Sequence, residues 1–553
     1  MKSKDYGKRE NGGSEDGLTN PSAHSKEGIG RTVDEKRGED TACGSGLDSV
    51  GQAAFCGKGY TSCDSGSDTE RRSMLLTESH THNLEAISGA LRASMSFDIV
   101  ERHLTVGGRD LCFFFVDGFA KDSEMQRVMA HLLEMGTVGT ADEVMRGLPY
   151  VEVALSSCVG EIVRAVLSGQ SCVVGEGFGP SAILVDVRTY PARPTSEPDS
   201  DRVMQGAHDG FVETLVVNTA LIRRRIRDPR LTMMHFNLGG ASGTDVVMCY
   251  MQGIADPKTV AALEKKLRAL RPDTLTLGYQ SLAESLIRRG WYNPFPKIRL
   301  TERPDAASSQ VLEGSILLIC DTTPQVMIIP TSIFDYLEQT DDFYFPPLTG
   351  SYLRLVRLLM LLLSVVLTPL WYLALENAAA LPPSLAFLLP DERGALPIIL
   401  QLLLVEVAID GLKIASMNTP DMLSNSLSVV GALLLGDFAV GVGWLCEDVI
   451  LYMSFIAIAG FVQQNAELGY ALKYVRVLTL IFVFFFGGWG MLLGGLLLVF
   501  LLATNTTVKG ARGYLYPLIP FNAAAMRRLL FRLKKRDNEG RGVKINAQNE
   551  TCE

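Results

Sequence analysis

The sequence lacks the short motifs by which many enzymes are recognised. It contains no P-loop, no HExxH motif, no G-x-S-x-G motif and no plausible Cys/His dyad. Its ten cysteines are scattered and include no CxxC pair, which favours free thiols in a reducing compartment over a disulfide framework. We therefore predict a protein that is not an enzyme and that needs no cofactor.

An excess of positive charge is also missing. The formal net charge is −9, whereas nucleic-acid-binding domains usually carry a basic footprint, so we predict no nucleic-acid partner. Cys43, Cys56 and Cys63 fit no zinc spacing with His80 or His82, so no metal site is predicted. The opening residues are charged and contain no apolar stretch, which predicts no cleavable signal peptide and a cytoplasmic soluble half.

Long apolar runs are absent before about residue 351 and dominate the chain after it. A helix needs roughly 20 apolar residues to cross the hydrocarbon core of a bilayer. Several downstream runs approach or exceed that length. They are Leu355–Leu375, Ala395–Ala415, Leu427–Leu445, Val449–Val462 and Val475–Ala503. The sequence therefore predicts a soluble module followed by an all-α polytopic membrane domain of four to six spans.

Composition and periodicity divide the chain further. Helix and strand patterns alternate before the apolar runs, which predicts an α/β or α+β module in two lobes. A segment rich in Gly, Ser and charged residues precedes them and is predicted to be disordered. The predicted segments are a disordered N-terminus (1–85), a first cytoplasmic lobe (96–190), a second cytoplasmic lobe (200–350), a transmembrane domain (351–510) and a basic cytoplasmic tail (511–553).

Local patterns predict individual elements of the module. Leu111–Val116 has the pattern of a buried strand, and the apolar positions of Asp122–Met135 recur at helical spacing. Ser171–Gly175 and Ala182–Val187 are predicted to pair as a hairpin around a glycine-rich turn. Glu302-Arg303 is predicted to be a loop that caps a helix at Asp305.

Basic residues near the apolar runs predict the orientation of the membrane domain. Arg354 and Arg357 lie at the entry of the first run, and the tail after residue 526 is strongly basic, so both ends are predicted inside. Lys473 and Arg476 are also assigned to the inside. An even number of crossings then requires Val475–Ala503 to fold back at its Gly-Gly-Trp-Gly sequence, and a single long tilted helix is the alternative.

Four ionisable residues fall within the second and third apolar runs, where charge is costly and usually functional. Glu406, Asp410 and Lys413 are spaced by four and three residues, which places them on one helix face. Asp410 and Lys413 are predicted to neutralise each other, whereas Glu406 has no evident partner in its own helix. Asp437 lies in the middle of the third run. Two roles stay open for these side chains: lining an ion or solute path, or bonding between helices.

Two long strings of residues stand out in the soluble half. The first includes Glu197, Pro198, Asp199, Gly210, Phe211, Glu213 and Asn218, and the second includes Thr301, Glu302, Arg303, Pro304 and Asp305. Together they resemble the A-subunit family of bacterial spore germinant receptors, the GerA type. The resemblance extends from about residue 97 to Asn522, including the string YPLIPFN near the end. One departure is Ser242-Gly243-Thr244, where members often have Ser-Lys-Thr.

The resemblance implies a multipass protein of the spore inner membrane that acts in germination, as an oligomeric ion channel or a channel-amplifying subunit. Implied partners are membrane lipid, other germination membrane proteins and further copies of the chain. One alternative is the A subunit of a nutrient germinant receptor. Another is a membrane-tethered scaffold or enzyme without a pore.

Four arginines crowd the end of a predicted helix in the first string, where cations favour the negative end of the helix dipole. One interpretation is a solvated helix terminus. The other is an electrostatic contact with a neighbouring subunit or with anionic lipid. The residues are Arg223, Arg224, Arg225 and Arg227.

Overall fold

The chain forms two β-sheet lobes followed by a helical region. The computed structural model describes residues 75–190, 205–287, 292–339, 341–390, 394–418, 431, 438–463, 465–505, 514–519 and 521–532. All of them belong to one compact unit, Cys63–Glu553.

The first lobe is a five-stranded antiparallel sheet with helices on both faces, and its strand order is β1-β2-β4-β5-β3. Cores on the two faces pack α1 and α4 on one side and α2 and α3 on the other. The elements are α1 (His80–Leu91), β1 (Ile99–Val106), β2 (Arg109–Val116), α2 (Asp122–Met135), α3 (Ala141–Gly147), β3 (Val153–Ser156), α4 (Val159–Leu167), β4 (Ser171–Gly175) and β5 (Ala182–Val185).

The second lobe repeats the topology of the first. Its order of helices and strands is the same, and its sheet order, β6-β7-β9-β10-β8, corresponds strand for strand. Sequence reasoning predicted two lobes without revealing this repeat. The elements are α5 (Leu215–Arg225), β6 (Leu231–Leu238), β7 (Thr244–Met251), α6 (Pro257–Ala269), α7 (Tyr279–Leu286), β8 (Arg299–Thr301), α8 (Pro304–Leu312), β9 (Ile316–Cys320) and β10 (Val326–Ile329).

The boundary predicted for the disordered N-terminus is wrong for its last residues. Helix α1 begins at His80, where the side chain of Ser79 accepts a hydrogen bond from the N–H of His82. Ile87 and Leu91 lie one turn apart and are fully buried against the first sheet. This burial stabilises a helix in a segment whose composition alone favours disorder. Residues 1–74 lie outside the described residues.

The helical region follows the lobes. Two of its described helices, Pro347–Glu376 and Ala466–Phe486, are long and apolar enough to cross a membrane, and Gly488–Thr504 is a shorter apolar helix. The predicted number of four to six crossings therefore stays a prediction. Helix α9 (Asp341–Tyr344) joins the second lobe to this region. The helices of the region are α10 (Pro347–Glu376), α11 (Ile398–Asn418), α12 (Ala439–Gly441), α13 (Glu447–Val462), α14 (Ala466–Phe486), α15 (Gly488–Thr504) and α16 (Ala523–Leu530).

The predicted fold-back of Val475–Ala503 is confirmed, and the alternative of one long helix is wrong. Gly487 has φ +55° between α14 and α15, a conformation that glycine adopts without a steric penalty. Gly494 of α15 lies directly against Thr479 of α14. The two helices therefore form a tight antiparallel hairpin.

We expect Gly490→Ala to destabilise this hairpin. A Cβ atom at Gly490 would lie 2.1 Å from the carbonyl oxygen of Phe482 and 2.4 Å from the nitrogen of Val483. Backbone atoms cannot move aside, so overpacking is expected to cost about 1–3 kcal/mol. Gly495→Ala is the matched control, because its Cβ would meet nothing within 4 Å. Thermal unfolding in detergent measures both; equal midpoints would contradict the close packing.

The chain enters and leaves the helical region at the same end. Arg532, just after α16, donates a 2.5 Å hydrogen bond to the carbonyl of Phe343 in α9. Arg354 of α10 donates a 3.2 Å bond to the carbonyl of Leu529 in α16. The tail therefore packs beside the junction between the lobes and α10, as an even number of crossings requires.

Candidate functional site

Two rows of charged side chains face each other within the helical region. Helix α11 carries Glu406, Asp410 and Lys413 on one face, as their spacing predicted. Helix α14 carries Lys473 and Arg476, about two turns or more beyond its start. Both helices are otherwise largely apolar, so their charges need partners.

The two rows form an ion-pair network that ties three helices together. Arg476 Nη2 lies 2.5 Å from Glu406 Oε1, and Lys473 Nζ lies 3.0 Å from the same oxygen. Lys473 also pairs with Asp410. Arg476 Nη1 donates a 2.7 Å hydrogen bond to the carbonyl of Ser364 in α10. Two basic side chains of α14 therefore bind both α10 and α11.

The structure corrects one prediction about these charges. Asp410 pairs with Lys473 rather than with Lys413, whose Nζ lies 5.0 Å from the centroid of the Tyr470 ring. The assignment of Lys473 and Arg476 to the inner side of the membrane stays a prediction, and both residues lie within α14. This helix already begins at Ala466.

The network balances its charge. Two carboxylates meet two basic side chains, and the exposed fractions of Arg476 and Glu406 are only 6% and 12%. Removing one member of such a buried pair leaves an uncompensated charge, which is strongly unfavourable. In this arrangement Lys473 and Arg476 both contact Oε1 of Glu406, an oxygen that would otherwise attract a mobile cation.

A cavity of about 230 Å³ lies beside the network. Its walls come from α10, α11, α13 and α14, and they include Lys413 and all four members of the network. Since a water molecule takes up about 30 Å³ in the liquid, the space can hold several. Gln463 also lines the cavity, and its buried Nε2 has no hydrogen-bond partner among the described residues. The site therefore combines charged groups with room for water or a small cation.

Four predicted residues cannot be placed in relation to this site. Asp437, the remaining candidate for an ion path, lies outside the described residues. So do Glu197, Pro198 and Asp199 of the first motif string.

Arg223 is a structural residue rather than a surface contact. Its side chain is fully buried, with Nε 2.7 Å and Nη2 3.0 Å from the two carboxylate oxygens of Asp98. Nη2 also donates to Ser96 and to the carbonyl of Leu231. Asp98 immediately precedes β1, so the pair joins the first lobe to the second. The prediction that Arg223 contacts lipid or a neighbouring subunit is wrong, because no part of its side chain reaches the surface.

The other three arginines of this group bond within the chain from more exposed positions. Arg225 donates two 2.6 Å bonds to the carboxylate of Asp209. Arg224 lies 4.6 Å from the centroid of the Tyr190 ring. Arg227 donates a 3.4 Å bond to Ser168 Oγ. Arg224 and Arg227 are exposed, and for them a lipid or subunit contact stays a prediction.

The two motif strings meet around the start of α5. The N–H of Phe211, which follows Gly210, donates a 2.8 Å bond to the carbonyl of Glu302. Asp321 Oδ1 accepts a 3.0 Å bond from the N–H of Leu215 and so supplies the cap that the helix start needs. The two motif strings, which are far apart in sequence, therefore both stabilise the backbone around the start of α5.

Further bonds hold the loop before α5. Asn218 binds both backbone groups of Val212, accepting from its N–H at 2.8 Å and donating to its carbonyl at 2.6 Å. The carbonyl of Glu213 accepts a 2.8 Å bond from the N–H of Thr322. The motif residues Glu213 and Asn218 therefore fix this loop.

The Thr301–Asp305 string forms the start of α8. Pro304 is the first helical residue, and the fully buried Arg303 precedes it as the N-cap residue. Arg303 Nη2 lies 2.7 Å from Asp305 Oδ2 and donates to the carbonyl of Ala207. The helix therefore begins before the predicted cap at Asp305. Asp305 lies in the first turn of α8, where its carboxylate pairs with the Arg303 side chain. The N–H of Arg303 donates a hydrogen bond to Thr301 Oγ1.

The lobes are bonded to the helical region at two places that the sequence did not reveal. Asp342 of α9 is fully buried and accepts hydrogen bonds from Arg357 (2.9 Å) and Arg354 (3.2 Å) of α10. In the second place, Asn293 Nδ2 donates a 2.8 Å bond to the carbonyl of Leu501 in α15. Phe295 packs in the same core as residues of α14 and α15.

Cysteines give one further correction. Cys112, Cys172, Cys249, Cys320 and Cys446 are free thiols, as predicted. Cys158, in contrast, is disulfide-bonded, so the prediction of a free thiol is wrong for this cysteine.

Comparisons with known proteins agree with the resemblance. Stage V sporulation protein AF of Bacillus subtilis (strain 168) is 35% identical, over 82% of this chain and 92% of that protein. Spore germination protein KA of the same organism is 24% identical, over 84% of this chain and 86% of that protein. The crystal structure of the N-terminal domain of the A subunit of the Bacillus megaterium spore germinant receptor GerK3 matches 46% of this chain and 95% of that domain. Its sequence identity is 24% and its TM-score 0.35.

Residues 85–542 match the family described as Bacillus/Clostridium GerA spore germination protein. This span includes the strands of both lobes and all the helices described above except the first residues of α1. The chain therefore belongs to the GerA spore germination protein family.

Proposed function

We propose that this chain is a multipass protein of the spore inner membrane that helps to release ions during germination, as an oligomeric channel or a subunit that amplifies one. Its lobes would lie in the cytoplasm, and it would act without catalysis. The observation that supports this proposal most is the charged network of Glu406, Asp410, Lys473 and Arg476 beside a cavity in an apolar helical region.

The network suits the closed state of a cation path. Arg476 of α14 pairs with Glu406 of α11 and Lys473 pairs with Asp410, so a passing cation would have to compete with a basic side chain at each carboxylate. Separating α11 from α14 would free Glu406 and Asp410 beside the cavity. Carboxylates that line a pore confer preference for cations. The contact between α11 and α14 would therefore have two discrete states, with the ion pairs formed when the path is closed and broken when it is open.

Contacts between the lobes and the helices would transmit the signal. Asp342 binds two arginines at the start of α10, and Asn293 binds the end of α15. A rotation of the second lobe would move both helices, and α15 forms a hairpin with the helix that carries Arg476. Other germination membrane proteins, membrane lipid and further copies of the chain are the proposed partners.

An accessory or amplifying role is favoured over recognition of a nutrient. The higher identity is to a protein named for a sporulation stage, at 35%, whereas the protein named spore germination protein KA is 24% identical. The alternative, the A subunit of a nutrient germinant receptor, is supported by the 24% identity to spore germination protein A1 over 75% of this chain.

Potassium efflux from liposomes tests the channel. We expect wild-type protein to release potassium and Glu406→Ala to release it several-fold more slowly, because a carboxylate of the path is lost. Asp437→Ala tests the second carboxylate. Glu447→Ala is the control, since Glu447 is exposed at the start of α13. Folded wild-type protein that releases no potassium would favour a partner-dependent channel or a scaffold without a pore.

A further inference from the structure

A group of potential metal ligands lies at the edge of the first lobe, far from the helical network in sequence. His103 of β1 and Cys112 of β2 are directly opposite each other in the antiparallel pair, and Glu101 lies two residues from His103. All three side chains therefore project from the same face of the sheet. One ligand atom from each lies within 4.8 Å of the others.

The distances suit a tetrahedral ion. His103 Nε2 lies 3.4 Å from Glu101 Oε1 and 3.9 Å from Cys112 Sγ. Ligands at the usual zinc distances of 2.0–2.3 Å, placed at tetrahedral angles, are about 3.3–3.7 Å apart. The two distances from His103 Nε2 are therefore within a few tenths of an ångström of the separations in a tetrahedral site.

The other ring nitrogen of His103 has the partner that a metal-binding histidine usually has. Nδ1 lies 2.9 Å from Asp110 Oδ2. A carboxylate in this position fixes the ring and leaves Nε2 directed toward the ion, and such carboxylate–histidine–metal arrangements are general.

A histidine with buried ring nitrogens lies beside the site. His80, the first residue of α1, lies with Nε2 3.6 Å from Asp110 Oδ2. Both of its ring nitrogens are buried without a hydrogen-bond partner among the described residues.

The second lobe supplies an internal comparison. Its corresponding strands also pair a histidine with an aspartate, His235 Nε2 lying 3.0 Å from Asp245 Oδ1. By strand register, however, Met233 and Val247 occupy the positions of Glu101 and Cys112. The repeat thus keeps the histidine–aspartate pair and lacks the two further ligands, so the pair alone does not require a metal.

We propose that Glu101, His103 and Cys112 bind a divalent transition-metal ion of the zinc type, with Asp110 orienting His103 and the fourth position taken by water or His80. Binding replaces the proton of the Cys112 thiol, which is released to solvent, by the metal ion. The spacing of cysteines and histidines did not predict this site, because its ligands are assembled by strand pairing. The ion would hold the start of α1 against the β1–β2 hairpin.

Cobalt(II) titration of the full-length protein in detergent, after removal of metal with EDTA, tests the proposal. We expect one equivalent to produce a thiolate-to-cobalt charge-transfer band together with the visible bands of a tetrahedral ion. Cys112→Ala should abolish the charge-transfer band. Asp110→Asn should weaken binding about 10–100-fold.

Two matched controls should bind cobalt normally. Cys172→Ala removes an equally buried free thiol on the neighbouring strand, and His235→Gln removes the corresponding histidine of the second lobe. Glu101→Gln alters an exposed ligand and so keeps the fold, and it should weaken binding. No charge-transfer band in wild-type protein, or a band that persists in Cys112→Ala, would overturn the proposal.

Discussion

Arg223→Met is expected to lower the free energy of unfolding by about 3–5 kcal/mol, the range found when one partner of a buried ion pair is removed. The exposed fractions of the Arg223 and Asp98 side chains are 0% and 2%, so water cannot replace the lost guanidinium. Asp98 would be left buried beside the joint between the lobes. Chemical denaturation of the detergent-solubilised protein measures the loss.

Arg224→Met is the matched control for this prediction. Arg224 is the next residue of the same helix, but it is exposed and lies over the ring of Tyr190. Its loss should cost less than about 1 kcal/mol. Adding Asp98→Asn to Arg223→Met should recover part of the stability, because the unpaired charge is removed. Equal effects of the two arginine variants would show that the buried pair does not join the lobes.

Asp342→Asn is expected to be comparably destabilising, by about 3–5 kcal/mol, because it removes the carboxylate that two buried arginines share. Asp342 is fully buried, and the exposed fractions of the Arg354 and Arg357 side chains are 6% and 8%. The asparagine side chain keeps the shape but not the charge, so both guanidinium groups lose their main partner. The thermal unfolding midpoint should fall, and the junction between α9 and α10 should become sensitive to proteases.

The control for this change is Asp341→Asn in the neighbouring, partly exposed position. This variant also removes one negative charge from the same short helix, but it should lower the thermal unfolding midpoint much less than Asp342→Asn does. If both variants unfold at the wild-type temperature, Asp342 does not hold the lobes to α10.

Local order was predictable wherever a pattern is repeated within a short stretch. The helix Asp122–Met135 and the strand Ser171–Gly175 were predicted from local sequence patterns, and the structure has them at those bounds. Strand β1 was missed because most of its central side chains are polar and exposed. Its place in the sheet comes from pairing with β2, which no local pattern encodes.

The acidic residues of the candidate site could be predicted from the sequence, but their basic partners could not. The spacing of Glu406 and Asp410 places them on one helix face, whereas their pairing with Lys473 and Arg476 depends on how α11 packs against α14. The burial of Asp98 and Asp342 could not be predicted, because the sequence around a single buried aspartate does not differ from that around an aspartate in an exposed loop. The partner of Asp98 is 125 residues away along the chain.

The coupling between Glu406 and Arg476 in potassium efflux tests the central claim most directly. Liposomes would carry wild-type protein, Glu406→Gln, Arg476→Gln or the double variant, each verified as folded. Arg476→Gln is expected to raise efflux several-fold, because Glu406 is left with Lys473 as its only basic partner among the described residues. The double variant should be as slow as Glu406→Gln. Equal efflux from all four proteins, or additive effects of the two changes, would contradict a gate made of this ion pair.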